Sequence, residues 1–317
     1  YAIKDSDQGK KIRAVLSYVD GRANEEQITT GSKKIYFVSD GITTSGTVSD
    51  DLLIASNNAD TLKGLEGNDQ IYGGDGNDTI EGGDGDDFIE GGDGDDTISG
   101  GLGVDTIYGG GGNDRISAAG SGYYDRDLES SIQIIDAGDG DDYIFGRDNL
   151  RIIAGSGNDT ISGAFSSLDA GEGDDHVTLP SGTSSVKVDL LDGGPGYDTL
   201  SFSDVYGANS YGTKTYGEAI VNFEQIDNVE KFFELGEQAG TAGETIKINM
   251  RENIGTSYEP LIFTSKTSAN IIYSGVDYQD YRGADSGRDT VIVGAGNDSL
   301  ILKGGDDTVT GGAGNDT

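Results

Sequence analysis

A leucine or isoleucine recurs at every ninth residue between positions 55 and 117, and its neighbours on either side are polar or mixed. The recurring residues are Leu62, Ile71, Ile80, Ile89, Ile98, Ile107 and Ile116. Because successive side chains of a strand point to opposite faces, a short strand centred on each of them buries one apolar residue. The other residues of each unit must turn the chain. Two units therefore predict one coil of a parallel β-roll, with a turn on each flank.

Each unit opens with a glycine-rich turn, which is clearest in GGDGDDFIE, residues 82–90, whose residues we number one to nine. Glycine at positions one, two and four supplies the positive φ angles that a tight turn needs. Position five is expected to adopt a left-handed conformation, which asparagine and aspartate tolerate well. The residues at this position include Asn68, Asn77, Asp86, Asp95 and Asn113.

Position six is an aspartate in every unit of this block, and stacking should arrange these residues in columns. Asp78 is expected over Asp96, and Asp87 over Asp105, about 4.8 Å apart. Bare carboxylates at that separation repel each other, whereas a hard cation between them attracts both. Ca²⁺ takes about six to eight oxygens from carboxylates and backbone carbonyls, and glycine turns expose such carbonyls. Counting pairs of stacked turns predicts on the order of ten calcium ions.

Other metals fit this pattern less well. Mg²⁺ demands a tighter octahedral geometry and keeps its water. Zn²⁺ prefers nitrogen and sulfur ligands, and this chain has one His and no Cys.

The predicted calcium ligands are the position-six carboxylates and, in three consecutive units, the turn residues at positions one to four. The position-six residues are Asp69, Asp78, Asp87, Asp96, Asp105, Asp114, Asp142, Asp159, Asp175, Asp198, Asp289, Asp298, Asp307 and Asp316. The turn residues are Gly73, Gly74, Asp75, Gly76, Gly82, Gly83, Asp84, Gly85, Gly91, Gly92, Asp93 and Gly94. Asp60 is left out because its unit, ASNNADTLK, lacks the turn glycines.

The repeat is less regular outside this first block. A regular β-roll is expected over 55–117 and a degenerate one over 118–201, where the units AGDGDDYIF, AGSGNDTIS, AGEGDDHVT and GGPGYDTLS start further apart than nine residues. That spacing predicts coils that keep the calcium turn on one flank only. The register resumes at 284–317, which we expect to be a truncated β-roll.

Residues 202–283 lose the repeat and gain tyrosine and phenylalanine. Alternation at 244–250 and 259–264 predicts strands. We expect an aromatic, β-rich insert, and two interpretations stay open. It either caps the end of the roll or forms a ligand-binding surface.

The first 54 residues also lack an obvious repeat. Strands are predicted at 11–19 and 27–38. The text GKKIRAVLSYVDGRANEEQITT, residues 9–30, resembles the second half of immunoglobulin-like modules of bacterial surface adhesins, so 1–39 is expected to be a partial immunoglobulin-like segment. Residues 40–54, rich in Ser, Thr, Gly and Asp, are expected to be a linker.

The nonapeptide units resemble RTX, or haemolysin-type, calcium-binding repeats. The resemblance implies an all-β fold, a calcium-bound parallel β-roll, here with a partial immunoglobulin-like segment and an irregular β-rich insert. It also implies type I secretion and folding on calcium outside the cell, in a secreted or surface-attached protein. Because the chain starts without Met and stops within a repeat, we expect a fragment of a larger protein.

Composition limits the kinds of molecule that the chain is expected to bind. A net charge of −36 repels nucleic acid and anionic membrane surfaces and attracts cations. Without Cys there are no disulfides, and no apolar run is long enough to span a membrane. The sequence has no H-E-x-x-H and no G-x-S-x-G motif, so we expect this segment not to be an enzyme.

Two functional classes remain open. The first is a structural or adhesive segment of a large surface protein, whose partners would be cell-surface glycans or other copies of itself. The second is an accessory region of a secreted RTX enzyme or toxin whose catalytic domain lies elsewhere.

Overall fold

The structure is a computed structural model, and it describes most of the repeat blocks and parts of the remaining chain. The described residues are 26–30, 33–37, 43–119, 132–146, 150–180, 189–203, 220–221, 223, 225–229, 232–235, 239, 244–250, 262–265, 267, 269–274, 290–301 and 308–317.

The described chain forms a β-solenoid whose strands, numbered in chain order, belong to three sheets. The 11-stranded sheet contains β1 (Glu26–Thr30), β2 (Lys33–Phe37), β4 (Asp51–Ile54), β6 (Gln70–Asp75), β8 (Phe88–Asp93), β10 (Thr106–Gly111), β12 (Gln133–Asp139), β14 (Leu150–Ser156), β16 (Ser167–Glu172), β18 (Leu190–Asp192) and β20 (Ile220–Val221). The 13-stranded sheet contains β3 (Thr43–Ser45), β5 (Thr61–Glu66), β7 (Thr79–Asp84), β9 (Thr97–Leu102), β11 (Arg115–Ala119), β13 (Tyr143–Gly146), β15 (Thr160–Gly163), β17 (His176–Pro180), β19 (Thr199–Ser203), β21 (Gln225–Val229), β23 (Thr245–Met250), β25 (Asn270–Ser274) and β27 (Ser299–Ile301). The 4-stranded sheet contains β22 (Phe232–Leu235), β24 (Ile262–Ser265), β26 (Thr290–Ile292) and β28 (Thr308–Thr310).

Strands of the repeat block pair in parallel with the strand two units away, as the period predicts. Ile71 is in register with Ile89, and Ile80 with Ile98. The position-eight residues of this block, from Leu62 to Ile116, are at most 2% exposed and belong to one continuous apolar core between the two large sheets. Burying each such side chain contributes about 1.5–3 kcal/mol. The predicted all-β parallel β-roll is therefore confirmed.

The strands are longer than the three residues expected. In β8, Phe88–Asp93, Ile89 and Gly91 are both buried, so the strand runs on into the first three positions of the next unit. Position one thus faces the interior beside position eight, and a glycine there keeps the coils close together.

Glycines at positions two and four have the positive φ angles expected of the turn. Gly83 has φ +123° and Gly85 has φ +139°. A Cβ at either residue would clash with a carbonyl oxygen of the coil before it, that of Leu65 or Gly67 respectively. Both the backbone angle and the close stacking of coils therefore require glycine.

The solenoid begins earlier than the sequence suggested, because the described part of the expected linker at 40–54, residues 43–54, contains two of its strands. β3 pairs with β5 and β4 pairs with β6, both in parallel. Residues 46–54, GTVSDDLLI, form a further nonapeptide with Asp51 at position six and a fully buried Leu53 at position eight. The unit has a single turn glycine, which is why composition suggested a linker.

The described N-terminal strands also join the solenoid. β1 pairs antiparallel with β2, and β2 pairs in parallel with β4, with Ile35 opposite Leu52. The single strand predicted at 27–38 is instead two strands, which pair with each other. The strand expected at 11–19 lies outside the described residues, and the immunoglobulin-like resemblance of 1–39 stays a prediction.

The described strands of 202–283 continue the stack. β23 confirms the strand predicted at 244–250, and β24 confirms the described part, 262–264, of the strand predicted at 259–264. β21, β23 and β25 extend the 13-stranded sheet, while β22 and β24 open the third sheet. These strands therefore lie within the parallel array, between the second and third repeat blocks.

Candidate metal sites

The aspartate at position six links each coil to the next through its carboxylate. The Oδ1 atom of Asp87 accepts the backbone N–H of Asp69 at 2.8 Å, and Oδ1 of Asp105 accepts that of Asp87 at 3.1 Å. The same bond recurs along both flanks and forms two columns of aspartates. The short ladder contains Asp51, Asp69, Asp87 and Asp105. The long ladder contains Asp60, Asp78, Asp96, Asp114, Asp142, Asp159, Asp175 and Asp198.

The long ladder runs through both of the first two repeat blocks. From Asp114 to Asp142 the spacing grows to 28 residues, and it is 17, 16 and 23 residues in the steps that follow, yet the hydrogen bond persists. The extra residues are accommodated elsewhere in the coil. One flank therefore keeps the aspartate turn while the other varies.

The second carboxylate oxygen of these aspartates has no hydrogen-bond partner although it is buried. The residues concerned are at most 3% exposed, and they are Asp69, Asp78, Asp87, Asp96, Asp105, Asp114, Asp142, Asp159, Asp175 and Asp298. Native proteins rarely leave a buried polar atom unpaired, because its desolvation is costly. A repeated unpaired carboxylate oxygen therefore points to a positive group that completes each turn.

In five glycine turns, those of Asp69, Asp78, Asp87, Asp96 and Asp114, a backbone carbonyl also lies close to position one, next to this oxygen. A Cβ on Gly82 would clash with both Oδ2 of Asp87 and the carbonyl oxygen of Gly100, one coil further on. Gly91 is placed in the same way against Asp96 and Gly109. The absence of a side chain at position one thus leaves room for a carboxylate and a carbonyl oxygen to converge.

The electrostatics of the turns show the cost of this arrangement without a cation. Burial raises the pKa of ten position-six carboxyl groups, and neighbouring aspartates add to the effect in each of them. The pKa rises from 3.8 to about 7 at Asp69, Asp87, Asp96, Asp105, Asp114, Asp142 and Asp159. It is also raised at Asp78, Asp175 and Asp298. The fold therefore resists charging these groups unless a cation accompanies them.

The available donors are oxygens, and most belong to the backbone. In the part of the chain that the structure describes, no three His, Cys, Asp or Glu side chains converge on one point. A metal in these turns would hence combine one or two carboxylates with several carbonyls. Ca²⁺ accepts that mixture, so the residues present fit calcium.

The predicted ligands at position three lie differently from those at position six. Asp75, Asp84 and Asp93 are exposed. The carboxylate of Asp75 accepts a hydrogen bond from Asn57 at 2.7 Å, and the backbone carbonyl of Asp84 accepts one from the Gly67 N–H at 2.8 Å. Their role as calcium ligands stays a prediction, as does that of the turn glycines.

The reason given for Asn or Asp at position five was wrong. Among the described residues, the only non-glycine residue with a positive φ is Leu65, at φ 86°, which occupies position two. Position-five side chains instead accept the backbone N–H of the position-five residue in the next coil. Asn68 receives that of Asp86 at 3.0 Å, and Asp86 receives that of Val104 at 2.9 Å. This outer ladder was missed because its partners are 18 residues apart.

The short ladder ends at Asp105. Gln133 lies in the next coil in register with it, since Thr106 pairs with Ile134. Its side-chain amide donates to the carbonyl oxygen of Gly103, and its own Oε1 is buried without a partner. A neutral amide therefore occupies the register of the missing aspartate.

The third block is described in part. Asp298 is buried, and its Oδ1 accepts the backbone N–H of Ile271 at 2.7 Å. Asp316 is exposed and accepts the N–H of Asp298 at 3.2 Å. Asp289 and Asp307, also predicted as ligands, lie outside the described residues.

Comparison with known proteins agrees with this geometry. The family described as RTX calcium-binding nonapeptide repeat (4 copies) matches residues 45–80, 54–89, 81–116, 133–149 and 283–317. The first match includes the early unit that contains Asp51. A search of curated proteins gives no match. Within the described ranges, no helix is long and apolar enough to cross a membrane. The family match, the register of the repeats and the aspartate ladders together identify residues 45–116, 133–149 and 283–317 as RTX, haemolysin-type, calcium-binding repeats.

Proposed function

We propose that Ca²⁺ fills the glycine turns and that the solenoid folds as it binds. The observation that carries this proposal is the row of buried, unpartnered Oδ2 atoms along both ladders. Each ion would be held by Oδ2 of a position-six aspartate together with carbonyls of glycine turns, such as that of Gly100 beside Asp87. The ion neutralises a carboxylate that burial otherwise disfavours.

If calcium binds the folded chain and not the unfolded chain, its binding free energy adds to the free energy of folding. A site at 100 times its dissociation constant contributes about 2.7 kcal/mol, and many sites add. The number of ions we propose is on the order of ten. The ten described aspartates with an unpartnered, buried Oδ2 support a number of this size.

Circular dichroism tests this proposal. Removal of calcium with a chelator should abolish most of the β signal, and calcium at about 10⁻⁴–10⁻³ M, the range of extracellular modules, should restore it. An unchanged spectrum after exhaustive chelation would show that the turns are stable without the ion.

The proposed calcium dependence also supports a proposal for where the protein folds and works. RTX calcium-binding repeats are typical of secreted proteins, and we propose that this chain is exported by type I secretion and works outside the cell, in the medium or on the cell surface. Sites of the proposed affinity stay empty at cytosolic calcium, so the chain leaves unfolded and folds outside. Nanomolar affinity across the array, measured by calorimetry, would contradict this order of events.

The fold supports a proposal for the role of the folded segment. The RTX β-roll is a calcium-binding structural fold rather than a catalytic one, and we propose a structural or adhesive segment of a large surface protein. Cell-surface glycans and other copies of the chain are the proposed partners. The alternative is an accessory region of a secreted RTX enzyme or toxin. A catalytic domain in the complete gene would favour the alternative, and an array of immunoglobulin-like modules would favour adhesion.

A further inference from the structure

The first turn of each ladder differs in composition from the turns that follow. Residues 46–54, GTVSDDLLI, begin the short ladder, and residues 55–63, ASNNADTLK, begin the long ladder. Position two is Thr47 in the first unit and Ser56 in the second. The described turns further along carry glycine there, apart from Leu65. A hydroxyl at position two is thus confined to the two turns at this end of the described ladders.

Both hydroxyls bond the carboxylate oxygen that is unpartnered in the glycine turns. Ser56 donates its Oγ–H to Oδ2 of Asp60 at 2.7 Å, and its backbone N–H bonds the same atom at 3.1 Å. Thr47 likewise donates two hydrogen bonds to Oδ2 of Asp51, one from its hydroxyl at 2.8 Å and one from its backbone N–H at 2.5 Å. In each case two donors of the chain satisfy the oxygen that later turns leave for a cation.

In these two turns the hydrogen bonds from the chain therefore satisfy Oδ2 without a metal ion. Hydrogen bonds to an ionised carboxylate are the stronger kind, and two of them offset much of its desolvation. Asp51 keeps one buried oxygen without a partner, but that atom is Oδ1, the ladder oxygen, at the start of the column. The turn oxygen itself is paired.

We infer that the hydroxyls of Thr47 and Ser56 replace calcium in these two turns, so that residues 46–63 form a calcium-independent cap of the solenoid. The inference rests on the proposed function, because it takes calcium as the ion of the glycine turns. The cap contains the first aspartate of each ladder, Asp51 and Asp60. The backbone N–H groups of Asp51 and Asp60 donate to Asp69 and Asp78, each at 2.7 Å, in the first glycine turns. Calcium-dependent coils are added onto this preformed end.

Hydrogen exchange of the full chain in chelator, read by mass spectrometry, tests the cap. Peptides from 46–63 should exchange more slowly than peptides from 82–105 of the same molecule. Ser56→Ala and Thr47→Val, which remove only the hydroxyl donors, should speed exchange in 46–63 by about tenfold, the value of a hydrogen bond to a charged group. Ser56→Thr keeps the donor and should retain the protection. Ser49→Ala, an exposed hydroxyl in the turn of Thr47, is the matched control.

Calcium counting by equilibrium dialysis gives a second readout. Asp60→Asn and Ser56→Ala should leave the number of bound ions unchanged, whereas Asp96→Asn should lower it. Equal exchange of the two peptides in chelator, or loss of an ion in Asp60→Asn, would overturn the cap. A wild-type chain that binds no calcium, or in which 82–105 is equally protected with and without chelator, would instead overturn the proposed function.

Discussion

The backbone N–H of Asp69 donates to the carboxylate of Asp87 over 2.8 Å, although 18 residues separate the two. This bond uses Oδ1 of Asp87 and leaves Oδ2 buried and unpaired. One side chain therefore performs two tasks. It fixes the register between coils without metal, and it offers an anionic oxygen to the turn. Replacements that keep Oδ1 but remove the charge can separate these tasks.

Asp87→Asn should raise the calcium midpoint of folding, on the order of tenfold in the affinity of the affected turns. The amide oxygen can still accept the Asp69 N–H, so the loss falls on calcium. Asp87 lies inside the short ladder, between Asp69 and Asp105. Asp60→Asn is the matched control and should shift the midpoint little. A calcium titration followed by circular dichroism measures both, and equal shifts would mean that the two turns are alike.

Gly85→Ala should destabilise the calcium-bound chain by about 1–3 kcal/mol. Its φ of +139° is unfavourable for alanine, and the new Cβ would clash with the Gly67 carbonyl oxygen. Gly111→Ala is the matched control, because the nearest atom to its Cβ would be 3.6 Å away. Denaturant unfolding at saturating calcium compares the two variants. Similar losses of stability would show that turn glycines are not held by this close stacking.

Leu65→Gly should stabilise the chain by about 1 kcal/mol. Leu65 has a positive φ at the position that is glycine in the turns that follow, and its side chain is 45% exposed, so little apolar burial is lost. The expected result is a higher melting temperature at fixed calcium. A lower one would show that the leucine side chain contributes more than its backbone strain costs.

Acid should favour the metal-free fold. Burial raises the pKa of Asp87 and Asp96 from 3.8 to about 7 in the folded chain. Groups with a raised pKa contribute stability below their unfolded pKa, and this stability is lost as the pH rises through the folded value. In calcium-free buffer, β structure should therefore decline between about pH 4 and about pH 7.

Calcium binding has the opposite pH dependence, because the ion must displace these protons. The calcium midpoint should fall as the pH rises towards 7. Titrations in calcium-free buffer and in calcium, followed by circular dichroism, check both trends. Greater metal-free stability at neutral pH than in mild acid would contradict the assigned burial.

The sequence predicted the solenoid because its period is visible in single residues. Ile80 and Ile98 mark the strand centres, and Asp78 and Asp96 mark the turns two residues before them. What escaped prediction depends on contacts between coils. The unit around Asp51 was missed because it has one turn glycine, and the role of Asn68 was missed because its acceptor bond spans 18 residues.

The chemistry of the turns was predictable to a similar extent. Oxygen ligands and calcium followed from glycine and aspartate at fixed spacing. The sequence did not predict that Oδ1 accepts a backbone N–H while Oδ2 stays unpaired, because this depends on how closely the coils stack. The exposed position of Asp84 was not predictable from strand alternation, which would bury it together with Ile80 and Gly82 of the same strand.

A crystal structure of the chain grown with calcium, with anomalous scattering used to locate the ions, tests the central claim most directly. We expect a calcium peak about 2.3–2.6 Å from Oδ2 of Asp87, and likewise of Asp96, with backbone carbonyls completing each shell. The turns of Asp51 and Asp60 should hold no ion beside Oδ2. A folded solenoid whose position-six Oδ2 atoms contact no calcium at saturating concentration would contradict the account.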